Sequence, residues 1–216
     1  MGAPAPTYAS AASRRQLLCT LALTGDEQRI LVVGADEQAE GWVPPELRQR
    51  TEICSSMERL LLWQEGAFDA VILPGALGAA AQWGGGRGTS SAVLLGHAWR
   101  VLAPGGMLTG HVSRPAWPAR PSLWTLAACS AGGCRRLLER AGFIDVECHH
   151  VEPRLADPMA LVPAGTPAAR QHFTRAVDRD RSHHSLPGYL ARATLARCGW
   201  GGLMQRDLVF WARRPC

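Results

Sequence analysis

The sequence predicts an α/β protein built on an open, mostly parallel, doubly wound sheet. Segment 66–73 passes from a glycine turn into a continuous apolar run, which is typical of a strand buried on both faces of a parallel sheet. Segment 98–108 ends a helix at Val101-Leu102, turns through Pro104-Gly105-Gly106 and enters a second apolar run. Proline cannot continue the helix, and glycine supplies the positive φ of a tight turn. Strand, helix and strand thus follow one another as a βαβ unit.

The composition fits one globular domain. The chain has 216 residues, of which 47% are hydrophobic and 19% charged, so it is long enough for a single core. No apolar run reaches the length of about eighteen residues that a transmembrane helix needs. The seven cysteines are scattered and form no Cys-x-x-Cys pair, which favours reduced thiols and a cytoplasmic protein.

The basic residues are unevenly distributed along the chain. All 23 of them are arginines, and nine lie between residues 170 and 214, together with three aspartates. This excess predicts contact of 170–214 with an anionic partner or a membrane surface, or else a solvated arginine face. Nucleic-acid binding is not predicted.

Residues 1–28 are expected to form an N-terminal extension and helix, ahead of a single α/β domain at 29–216. Ser13-Arg14-Arg15 and the apolar run that follows resemble a twin-arginine export signal, but no small-x-small cleavage site follows. We therefore expect a helix over 14–23 that packs on the sheet.

The other elements follow from apolar runs and the glycines or prolines that end them. Gly142, for example, ends a helix because it accepts the left-handed conformation of a helix C-terminus. In chain order the sequence predicts strands at 29–34 and 51–54, the central unit, a helix at 123–141, a strand at 144–151, a helical insert at 152–205 and a last strand at 207–213.

Segments 66–73 and 98–112 resemble the fourth strand, its helix and the fifth strand of the class I S-adenosylmethionine (SAM) methyltransferases. The strand opens with Phe68-Asp69, and the turn reads Arg-Val-Leu-x-Pro-Gly-Gly, both recurrent in that family. The sequences LLERAGFIDVECHHV and RDLVFWARR look like the last helix and the two terminal strands of the same fold. The resemblance covers 29–34, 51–151 and 206–214, and implies a sheet of the class I methyltransferase type.

The same resemblance implies a SAM pocket, whose first motif is only partly present. Gly34 of the apolar-acid-apolar-Gly-x-Gly-x-Gly pattern is kept, and Val32 replaces the acid. Asp36 and Gln38 replace the later glycines. Only 34 residues separate Gly34 from Asp69, whereas three crossovers and two strands need about 40. We therefore expect the second strand and its ribose-binding acid to be missing, so that the sheet is shortened in its N-terminal half.

If the protein is active, the resemblance implies SAM as the cofactor. The residues expected to line its pocket are Gly34, Asp36, Glu37, Ser55, Ser56 and Asp69. His111 is expected to follow the fifth strand at the carboxyl edge of the sheet, where it is a candidate general base or else a loop histidine without function. His149 and His150 are adjacent on a predicted strand, so their rings should point to opposite faces and cannot share a metal ion. No metal site is predicted.

The departures from the cofactor motif lead to the first functional hypothesis, a non-catalytic binding or scaffolding subunit with a protein partner and no cofactor. The alternative is an active SAM-dependent methyltransferase that acts on a small-molecule substrate through an atypical pocket. A third hypothesis is a peripheral membrane protein that uses the arginine-rich segment 170–214. Binding of SAM separates the first two hypotheses, and binding to anionic vesicles tests the third.

Overall fold

The computed structural model describes residue 23 and residues 28–34, 43–74, 91–113, 130–154, 157–179, 185–198 and 207–216. The strands are β1 (Ile30–Val33), β2 (Thr51–Cys54), β3 (Phe68–Leu73), β4 (Leu102–Ser113), β5 (Ile144–Arg154), β6 (Asp157–Pro163) and β7 (Asp207–Arg213). The helices are a 3₁₀ helix (Pro45–Arg50) and the α-helices α1 (Met57–Leu62), α2 (Ser91–Val101), α3 (Ala131–Arg140), α4 (Pro167–Arg179) and α5 (Leu186–Arg197). No helix in the described part of the chain is long and apolar enough to cross a membrane.

The strands form one sheet in the order β2-β1-β3-β4-β7-β5-β6. The first four are mutually parallel, while β7 runs antiparallel to both of its neighbours and β6 runs antiparallel to β5. The sheet is therefore open and mostly parallel, and the predicted fold class is confirmed. Buried apolar residues fill the central strands, as expected for a sheet covered on both faces.

The core divides between the two faces of the sheet. On one face, which we call the helical face, residues of α1, α2 and α3 pack against the sheet; examples are Leu60, Leu94 and Leu138. The opposite face carries a second apolar cluster that includes Ile30, Ile72 and Val209. A third cluster lies between β6 and the paired helices α4 and α5. Alternate residues of each strand therefore serve two separate cores, as the pleat requires.

The N-terminal half of the sheet is short, as predicted. Between β1 and β3 the described residues contain one strand, β2, and it pairs directly with β1 through Val33 and Cys54. β2 therefore takes the position beside the first strand, so the expectation that the second strand is missing is wrong. Much of the predicted N-terminal extension, including most of the helix expected over 14–23, lies outside the described residues.

Two predicted boundaries differ from the structure. α3 begins at Ala131, where the Ser130 hydroxyl accepts a hydrogen bond from the amide of Gly133 at 3.0 Å; residues 123–129 of the predicted helix lie outside the described residues. The insert at 152–205 was expected to be helical, but it also contains β6, which pairs back onto β5 before the two helices begin. β6 contains two prolines, which argue against a strand when only the sequence is considered. They are tolerated here because β6 is at the edge of the sheet.

Arg214 joins the end of the chain to the junction of α2 and β4, where the helix ends at Val101 and the strand begins at Leu102. Its guanidinium donates hydrogen bonds to the carbonyls of Trp99, Arg100 and Leu102 and lies 4.0 Å from the centre of the Trp99 indole. It also contacts Glu65 at 2.9 Å, although that carboxylate is 65% exposed and contributes little. The end of a helix leaves carbonyls without intrahelical partners. Arg214 donates to two of these carbonyls, those of Trp99 and Arg100, from outside the helix. The Arg100 carbonyl also accepts from the Gly66 amide at 3.0 Å.

We expect Arg214→Met to lower the free energy of unfolding by about 3 kcal/mol, because three carbonyl acceptors lose their charged donor and remain in a mostly buried site. Arg213→Met is the matched control, since the Arg213 side chain is exposed; it should cost less than about 0.5 kcal/mol. Urea denaturation followed by circular dichroism measures both. Equal losses in the two variants would contradict this role for Arg214.

Candidate functional site

The carboxyl ends of the parallel strands bring three predicted site residues to one level of the sheet. Val33 pairs with Cys54, and Ile72 pairs with both Val32 and Thr109. Continuing this register towards the carboxyl edge places Gly34, Ser55 and His111 in one row. Neighbouring strands are about 4.8 Å apart, so Gly34 and His111, on either side of β3, are about 10 Å apart. Open α/β sheets bind ligands at this edge.

Gly34 and Ser56 already have partners within the fold. The buried amide of Gly34 donates a hydrogen bond to the Cys54 carbonyl at 3.1 Å. Ser56 is the N-cap of α1, where its hydroxyl accepts a hydrogen bond from the Arg59 amide at 3.3 Å. Ser55, between the strand and the helix, is partly exposed. Asp36 and Glu37 lie outside the described residues.

Asp69 lies at the opposite end of the sheet from the other predicted pocket residues. Its carboxylate accepts hydrogen bonds from the amides of Gln28 and Arg29, at 2.9 and 3.0 Å. Leu73 pairs with Gly110, so the next residue, Pro74, stands level with His111 in the row. Asp69 comes five residues before Pro74 and is therefore about 16 Å from the row at roughly 3.3 Å per residue. Its prediction as a pocket residue is therefore corrected: Asp69 fixes the start of β1 against β3. Because it comes second in β3, it lies at the amino edge.

His111 lies within β4 instead of following it. The strand continues to Ser113, and the imidazole is buried, with 8% of the residue exposed. Burial lowers the pKa of His111 to about 4, and the charge of Asp207 opposes that shift. At neutral pH the ring is therefore uncharged, and one of its nitrogens is an acceptor. A base with so low a pKa would drive proton transfer weakly.

The antiparallel strands place further polar residues beside His111 that the sequence analysis missed. His111 and His149 both pair with Val209 on β7, so the two histidines lie on the same face, about 10 Å apart. Asp207 precedes Val209 by two residues on that same face. Thr109, in the next row, donates a hydrogen bond to the Phe210 carbonyl at 3.3 Å. Polar residues at alternate positions of β4 and β5 were the available signal.

The two adjacent histidines of β5 do face opposite sides of the sheet. His149 stacks on Trp211 with ring centres 4.4 Å apart, whereas His150 contacts the edge of Phe173, an α4 residue of the third core cluster. Burial lowers the pKa of His149, and the charge of Glu147 opposes that effect. Among the described residues, no group of three His, Cys, Asp or Glu side chains is arranged to hold a metal ion.

A cavity of about 220 Å³ lies beside the edge strand β2. Val43, Arg48, Thr51 and Ile53 line it. Thr51 is fixed by a hydrogen bond that its hydroxyl donates to the Leu47 carbonyl at 2.7 Å. β2 and the strand that bears His111 are three places apart in the sheet, so this cavity and the histidine are separated by about 14 Å. They do not form one pocket.

The low pKa of His111 predicts a loss of stability in acid. The unfolded histidine binds a proton below its ordinary pKa of 6.5, whereas the folded one does so only near 4. Between these values the unfolded state holds more protons, so stability falls by about 3 kcal/mol as the pH drops through this window. In His111→Gln that contribution should vanish. Urea unfolding at several pH values measures it, and parallel pH profiles of parent and variant would refute it.

The chain is similar to known proteins in its fold, at low sequence identity. No family model and no curated protein matches the chain. Among solved structures it is similar to phosphoethanolamine N-methyltransferase 2 of Haemonchus contortus, in complex with phosphomonomethylethanolamine and S-adenosylhomocysteine, with 12% identity, a TM-score of 0.49 and 94% of this chain covered. The chain spans 53% of that enzyme. It is also similar to a SAM-dependent methyltransferase of Archaeoglobus fulgidus, with 11% identity, a TM-score of 0.49 and 95% of each chain covered. The sheet itself, with β7 antiparallel between β4 and β5, is of the class I methyltransferase type.

Proposed function

We propose that this protein is a non-catalytic relative of the class I methyltransferases that acts as a binding or scaffolding subunit. One observation carries the proposal: the strand beside β1 ends at Cys54 and is followed by Ser55-Ser56, with no carboxylate at these positions. In the resembled family an acidic residue after the second strand accepts hydrogen bonds from the ribose hydroxyls of SAM. In this chain β2 takes that place in the sheet, and serines stand where the acid is expected.

Serine is a weak substitute for the missing acid. A carboxylate accepts hydrogen bonds from both ribose hydroxyls, and charge-assisted bonds are roughly twice as strong as those to a neutral hydroxyl. The Ser56 hydroxyl is also engaged as the N-cap of α1. Releasing it to a ligand would cost about 1 kcal/mol of helix stability. This arrangement supports a function in which the pocket does not hold SAM.

The remainder of the row supports the same proposal. The Gly34 amide is used in the sheet, so this backbone N–H is not available to a ligand without breaking the pairing of β1 with β2. His111 is buried and has a low pKa, which makes it a poor proton acceptor for a methyl acceptor group. These features support a function in which the outer surfaces of the protein bind partners and the pocket holds no cofactor.

Isothermal titration calorimetry with SAM and with S-adenosylhomocysteine tests the proposal. We expect no saturable binding up to about 1 mM ligand, which corresponds to a binding free energy weaker than about −4 kcal/mol. Saturation at micromolar concentration by either ligand would overturn the proposal. The variant Ser55→Asp tests the cause of the weak binding. If the missing carboxylate is that cause, Ser55→Asp should bind SAM more tightly than the parent chain does.

A second candidate is an active SAM-dependent methyltransferase that acts on a small molecule through an atypical pocket. It is favoured by the alignment of Gly34, Ser55 and His111 in one row at the carboxyl edge. On this hypothesis Gly34→Trp should abolish both SAM binding and methyl transfer, because the indole would fill the edge of the pocket. Gly96→Trp is the matched control, since Gly96 lies on the exposed side of α2 with open space around it. Equal activity of the two variants would exclude this candidate.

A further inference from the structure

The helices α4 and α5 form a hairpin on the outside of β6. Phe173 and Val177 of α4, with Ala193 and Ala196 of α5, pack together over Val162. His172 ties α4 to the sheet through its ring nitrogen Nε2, which lies 2.5 Å from the Glu152 carboxylate. Among the described elements α5 packs chiefly on α4. α5 is therefore the outermost helix on this side of the molecule.

The outer side of α5 exposes two large apolar side chains. Leu186 is 65% exposed and Leu190 is 54% exposed. They are four residues apart, and the exposed Arg197 follows seven residues after Leu190. Because these spacings are close to whole helical turns, all three side chains lie along one stripe of the helix. An apolar stripe that continues into an arginine is left facing solvent.

The same hairpin is strongly basic. The two helices contain five arginines against one aspartate, a net charge of +4 with His172 neutral. Arg170, Arg175 and Arg179 on α4 are exposed. The single acid, Asp178, accepts a hydrogen bond from the Tyr189 hydroxyl at 3.0 Å, which joins α4 to α5. The hairpin therefore carries both exposed arginines and exposed leucines.

We propose that the α4–α5 hairpin binds the surface of membranes that contain anionic phospholipid. Leu186 and Leu190 enter the boundary between head groups and acyl chains, and the arginines remain at the level of the phosphates, where their long side chains allow them to stay. Charge alone would also suit an acidic protein. The leucines decide in favour of a lipid surface, because they bury apolar area in addition to charge pairing.

This surface is independent of the carboxyl edge. Gly34 follows β1, five strand positions from β6, and His111 is on β4, three positions from β6, so the hairpin is about 24 Å from Gly34 and about 14 Å from His111. Membrane binding is therefore compatible with either candidate function, and its failure would leave the calorimetric test with SAM unaffected.

Sedimentation of the full chain with unilamellar vesicles tests the proposal. We expect binding to phosphatidylcholine vesicles that contain phosphatidylserine and little binding to pure phosphatidylcholine, with a loss of binding at high salt. Replacing Arg170, Arg175 and Arg179 by Gln together should lower the partition coefficient roughly a hundredfold. The charge-matched control replaces Arg135, Arg136 and Arg140 of α3 by Gln, and should retain most of the binding.

A second pair of variants separates lipid insertion from simple charge attraction. Leu186→Gln with Leu190→Gln should weaken vesicle binding by about tenfold or more. Leu61→Gln with Leu62→Gln is the matched control, because these two leucines of α1 are also exposed, at 54% and 83%, and belong to another surface. Absence of vesicle binding at low salt would overturn the proposal. Equal vesicle binding by the two double leucine variants would also overturn it, and would indicate an acidic protein as the natural partner of the hairpin.

Discussion

Two arginines near the junction of α2 and β4 donate hydrogen bonds to carbonyls at the ends of two helices. Arg214, from the last residues of the chain, donates to the carbonyls that end α2. Arg100, on α2 itself, donates to the carbonyls of Trp63 and Leu60 at the end of α1, at 2.6 and 3.0 Å. Each guanidinium supplies donors that the helix cannot supply for itself. The ends of the two helices and the C-terminal residues are thereby joined at the start of β4.

Close backbone packing continues from this junction along β4. A Cβ atom on Gly106 would lie 2.8 Å from the Ala103 carbonyl oxygen, and one on Gly110 would lie 2.7 Å from that of Leu73. Both positions therefore require glycine, and both hold β4 tightly against its surroundings. β7 then adds on the other side of β4, antiparallel, with His111 opposite Val209. The polar residues on β4, β7 and β5 meet because of this arrangement.

The candidate cofactor site and the proposed membrane surface lie in different parts of the fold. The carboxyl edge of the parallel strands carries Gly34 and Ser55, but the protein lacks there, within its described residues, the carboxylate expected beside β1. The hairpin on β6 has exposed leucines and an excess of arginine. The proposed membrane surface does not depend on that edge, because it is supported by a separate core cluster between β6 and the two helices. A binding or scaffolding function is consistent with a surface that lies away from the carboxyl edge.

The sequence by itself determined the framework, and the tertiary structure decided the site. Apolar runs and glycine turns were enough to predict β1, β3 and β7, because the burial of a strand and the positive φ of Gly142 are local requirements. Asp69 and His111 could not be placed in the same way. Whether a residue lies at the amino or the carboxyl edge, and which residue it faces, depends on strand order and register, and these follow from contacts between segments far apart in the chain.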